Sequence, residues 1–211
     1  MTMRKLLIAI FLTIIAEVAQ AGAYDDILIA ANNGDTATVV GLLQRGMDVN
    51  TSDQTGTTLL MIAARTGNVA LIQALIANRA NLNRRNQNGD SAILLAALKP
   101  ELEAAKILIA NGADLNPSGW TPLHYAMFSG SKELAGLLIA KGAKLDSRAP
   151  SGQTALMLAI RHKNLDMVKL LVEAGADKNL ADAAGLTALG LAKKLEQADI
   201  VAYLRKLGAT E

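Results

Sequence analysis

The chain has 211 residues, a net charge of +2, and 51% hydrophobic residues but only 3% aromatic ones. The near-neutral balance, with no dense Lys/Arg run, removes the electrostatic case for a nucleic-acid partner. The absence of cysteine excludes disulfides, thiolate catalysis and Cys-ligated zinc.

Residues 1–23 read as a secretory signal peptide. Arg4 and Lys5 form a positive start, an apolar run extends from Leu6 to Ala16, and Glu17 ends it. Small residues then follow at the spacing a signal peptidase needs, which places cleavage after Ala23 or Ala21. The apolar run is shorter than the roughly 20 residues of a membrane span. A periplasmic or secreted protein without a stable membrane anchor is therefore expected.

From residue 24 the chain repeats. Gly56, Gly89, Gly119, Gly152 and Gly185 lie 33, 30, 33 and 33 residues apart, and a hydroxyl follows two positions after each: Thr58, Ser91, Thr121, Thr154 and Thr187. A second series closes each unit: Asn50, Asn83, Asn116, Asp146 and Asn179. Both series carry one three-residue deletion, in the segment after Asn116. The register gives units of about 24–50, 51–83, 84–116, 117–146, 147–179 and 180–211. Periods of this size signal stacked repeats.

Within a unit, each hydroxyl is placed to N-cap a first helix of about nine residues. Pro122 suits a first helical position, where its missing N–H costs nothing. A Gly or polar turn follows, then a second helix with apolar residues at helical spacing, as in Leu165 to Val172. Gly46, Gly112, Gly142, Gly175 and Gly208 stand at the left-handed C′ position, but Arg79 takes this place in the second unit. The first unit lacks an opening finger and the last is charge-rich, as expected of capping units.

Gly119-Trp120-Thr121-Pro122-Leu123-His124-Tyr125-Ala126 and the closing segment Leu108 to Asn116 resemble the ankyrin repeat. The resemblance covers about residues 24–211 and implies an all-α solenoid of about six helix-turn-helix units with short β-hairpin-like fingers. It also implies that His124 joins the helix cap through the Thr121 hydroxyl.

No nucleophile elbow, HExxH zinc motif or phosphate-binding loop occurs. His124 and His162 have no accompanying carboxylate cluster, so no metal or cofactor is expected, and no enzyme. The resemblance implies a monomeric module whose partner is another protein. It places binding on the concave face formed by fingers and first helices, which selects Arg65, Gln87, Asn88, Asp90, Lys99, Trp120, Phe128, Gln153, Arg161 and His162. For His162, flanked by Arg161 and Lys163, a solvated turn position is the plainer reading. Trp120 and Phe128 stand out because the only other Phe or Trp is Phe11, in the leader. They sit beside the shortened finger, either to bind a partner or to fill the gap. An envelope protein is the expected partner. A toxic enzyme inhibited by the chain, or a host-cell protein, are the alternatives.

Overall fold

The computed structural model describes residues 22–211. The expected leader lies outside them except for Gly22 and Ala23, which begin helix α1 over residues 22–32. Pairs of antiparallel helices then follow. α2 spans Thr36–Gln44 and completes the first unit. The second holds α3 (Leu59–Thr66) and α4 (Val69–Ala77), and the third α5 (Ala92–Leu98) and α6 (Leu102–Ala110). The fourth holds α7 (Pro122–Ser129) and α8 (Lys132–Ala140), and the fifth α9 (Ala155–Arg161) and α10 (Leu165–Glu173). α11 (Ala188–Lys194) and α12 (Ala198–Lys206) form the sixth. The first helices of units two to six have seven or eight residues, one or two fewer than the nine expected.

The first (A) helices form one layer and the second (B) helices another. From α3 onward each helix packs on its counterpart in the adjacent unit and on its partner within the unit, and α2 packs on α4. The A helices meet one another over more of their length than the B helices do, so the array curves with the A layer inside. Small residues cause this. Ala63-Ala64, Ala96-Ala97 and Ala159 are fully buried and let neighbouring A helices approach closely, while Leu71, Leu75, Leu108, Leu138 and Leu171 fill the space under the B helices.

The capping hydroxyls act as their spacing predicts, with one exception. Thr58 Oγ1 accepts the Met61 N–H at 3.2 Å, and Thr187 Oγ1 accepts that of Gly190 at 3.2 Å. Ser91 makes no such bond. The closing Asn/Asp series has a role that spacing alone does not reveal. In each case Oδ1 accepts a backbone N–H of the following unit: Asn50 from Asn81, Asn83 from Asp114, Asn116 from Lys144, Asp146 from Asp177 and Asn179 from Thr210, at 2.7–2.9 Å. One side chain per unit thus fixes the register of the stack.

The fingers are tight turns. Among the described residues there is no strand, only an isolated antiparallel bridge between Ser52 and Thr58. Arg79 does adopt the left-handed conformation, with φ 64°. Lys163 (φ 53°) and Glu196 (φ 56°) do likewise in the A–B turn, at the register position of Gly34, Gly67 and Gly130.

Candidate functional site

The site is built around the missing residues. Full-length fingers pair with their neighbours: the Gln87 N–H donates to the Thr55 carbonyl at 2.9 Å, and the Ala183 N–H to the Ser151 carbonyl at 3.2 Å. Unit four has only Pro117 and Ser118 between Asn116 and Gly119, so its finger is too short to extend this pairing. Arg85 reaches into the gap instead, and both its Nη atoms donate to the Ser118 carbonyl at 3.3 Å.

Trp120 occupies the floor of this notch. It is half-buried against the core, with its ring 5.6 Å from His124, 6.0 Å from Tyr125 and 5.5 Å from Phe128. Phe128 stands above it, 44% exposed, and meets the His162 ring edge-on at 5.0 Å. The two residues differ in placement: Trp120 is half-buried against the core beside the shortened finger, and Phe128 presents its ring to solvent. His162 is exposed at the C-cap of α9, but it lies against an aromatic ring and is not merely solvated.

Two polar groups hold the cluster from below. Tyr125 Oη donates to Asp90 Oδ1 at 2.7 Å, and burial, then that carboxylate, push the Tyr125 pKa far up, so the phenol stays a donor. His124 Nδ1 accepts the Thr121 N–H at 3.1 Å and lies 2.8 Å from the Thr121 hydroxyl, which leaves Nε2 to donate to the Gln153 carbonyl at 3.3 Å. Burial lowers the His124 pKa against the opposing pull of the Gln153 and Ser147 carbonyls. The neutral ring thus ties unit four to unit five.

The remaining expected contact residues divide by exposure. Lys99, Gln87, Asn88 and Arg161 are exposed. Gln87 nonetheless uses its Nε2 to donate to the Gln54 carbonyl at 3.0 Å, reinforcing the finger pair. Arg65 is half-buried and donates to Asn32 Oδ1 at 3.2 Å. Asp90 is engaged by Tyr125. Gln153 corrects an expectation. It is buried, as Thr57 is at the same position of its unit, whereas Asp90, Trp120 and Leu186 there are half-buried. With its amide oxygen facing the guanidinium it accepts from Arg161 Nη2 at 2.8 Å, so it orients Arg161 and offers little surface itself.

Leu98 was absent from the expected set, yet it is 45% exposed on α5. Register would have found it: Asn32, Arg65, Leu98, Phe128, Arg161 and Lys194 occupy one equivalent position near the ends of successive A helices. Among the described residues no group of three or more His, Asp or Glu side chains is placed to hold a metal. No helix there is long and apolar enough to cross a membrane. The arrangement offers an apolar and aromatic surface with cationic neighbours. A family model described as ankyrin repeats (3 copies) matches residues 27–118, 60–149 and 133–210. No curated protein matches the chain.

Proposed function

The chain belongs to the ankyrin-repeat family, whose repeats are protein–protein interaction modules and typically not enzymes, and from that premise we propose that it is an exported, periplasmic binding module for an envelope protein. The partner sits on the inner face at units three to five, and the module assembles with it, protects it or regulates it. The observation that carries the reading is the exposed Phe128 ring above the shortened finger. Aromatic anchors dominate interface energetics, and a large apolar side chain held in place on a rigid helix loses little entropy on binding. Export is supported by Arg4, Lys5, the apolar run after them and the small residues up to Ala23.

Two measurements test this. Intact mass of the protein recovered from the periplasmic fraction should show a mature N-terminus at Gly22 or Tyr24; a start at Met1 sinks the export reading. A partner retained by the wild-type protein should be lost on Phe128→Ala and Leu98→Ala at unchanged melting temperature. Retention by the double variant sinks the placement.

A further inference from the structure

The exposed row near the ends of the A helices is uneven in a way that specifies an occupant. Leu98 and Phe128, 45% and 44% exposed, are its two apolar members and lie on α5 and α7, which pack directly together. Cations surround them. Lys99 follows Leu98, and Arg161 and Lys163 lie on the far side of Phe128. None of the three forms an ion pair among the described residues; the partner of Arg161 is the neutral Gln153 amide.

The carboxylates nearby are differently placed. Asp90 accepts from Tyr125 Oη, beneath the surface cluster. Asp53 accepts the N–H groups of Thr55 and Thr57 and faces Arg65, while Asp182 accepts those of Ala184 and Leu186 in its own finger. Glu101 leans over Gly67, on the Arg65 side, and Glu196 lies in the turn after α11. The Phe128 neighbourhood is left cationic.

Packed helix axes lie about 8–10 Å apart, and a chain in the extended polyproline II conformation rises about 3.1 Å per residue with three residues per turn, so one repeat corresponds to about three partner residues and side chains at that spacing share a face. We propose that the inner face takes an extended acidic segment of its partner, with two apolar side chains about three residues apart seated on Leu98 and Phe128 and carboxylates on both sides meeting Lys99, Arg161 and Lys163. This rests on the reading that the inner face is the binding face, and it adds the chemistry of the ligand.

The test is selection from a display library of random peptides, about twelve residues long so as to span four repeats, on the full protein. A Leu98→Ser/Phe128→Ser variant serves for counter-selection. The selected peptides should carry an apolar pair at that spacing with Asp or Glu on both sides. Their affinity, measured by fluorescence polarisation, should drop about ten-fold or more on Lys99→Glu/Lys163→Glu and fall with rising salt, as screened charge pairs require. All four substituted side chains are exposed, so the melting temperatures should match wild type. Basic or uncharged peptides that still need Leu98 and Phe128 would overturn the acidic ligand and leave the inner-face reading standing. Peptides indifferent to that pair, or no peptides at all, would overturn both.

Discussion

Gly152→Ala and Gly185→Ala form a matched pair that isolates what finger pairing contributes. Both glycines turn their fingers with nearly the same backbone, φ 75° and 78°. A Cβ at Gly152 would fall 2.6 Å from the Ala183 nitrogen and 3.2 Å from the Asp182 carbonyl carbon, whereas one at Gly185 meets nothing within 4 Å. The left-handed backbone costs an alanine about 1 kcal/mol at either site. Gly152→Ala must also push the next finger away and break the Ala183 to Ser151 hydrogen bond, which adds about 1 kcal/mol and some lost packing. The expectation is a loss of about 2–3 kcal/mol for Gly152→Ala against about 1 kcal/mol for Gly185→Ala. At this chain length that corresponds to a fall in Tm of roughly 5–10 °C against roughly 3 °C. Thermal and urea unfolding followed by circular dichroism reads both. Equal losses would refute the claim that neighbouring fingers support one another.

Other changes follow from the same geometry. Arg79→Gly should stabilise the fold by about 1 kcal/mol, since it relieves a positive φ; a lower urea midpoint would contradict this. Trp120→Ala should cost about 2 kcal/mol, less than a fully buried aromatic because the ring is half-exposed. Phe128→Ala should leave the urea midpoint nearly unchanged, and equal losses at the two sites would remove the distinction between them. Burial holds the His124 pKa below its usual 6.5. The unfolded chain therefore takes up a proton first as pH falls below about 6.5, and stability declines until the folded pKa is reached. His124→Met, which copies the cap made by Met61 in unit two, should flatten the profile between about pH 7.5 and 5.5 relative to wild type. An unchanged slope would place the sensitivity elsewhere.

The repeat was legible because its markers are backbone requirements. The hydroxyl that caps helix A and the glycine at C′ sit where few other residues serve, so their spacing carries the fold. The closing Asn/Asp was equally visible, but its bond runs to a backbone N–H of the next unit, a contact with no side-chain partner to read. At the site, alignment by unit gave Phe128 and Arg161 but passed over Leu98, an ordinary residue type whose exposure depends on where α5 ends. Gln153 was placed on the surface by the family resemblance, yet it is buried, as Thr57 is at the same register position, because its amide turns in towards Arg161. Lys163 and Glu196 took the place of a turn glycine without any sign in composition, because the turn's φ is imposed by the helices on either side.

The central claim, that partners dock on the inner face around the shortened finger, is tested most directly by site-specific photo-crosslinking in intact cells of the native host. A photoreactive phenylalanine analogue placed singly at Phe128, Lys99 or His162 should give one common adduct. The same probe at Gln73 or Lys106, on the B helices α4 and α6, should give none. An adduct confined to Gln73 and Lys106 would put the interface on the opposite layer and contradict the account.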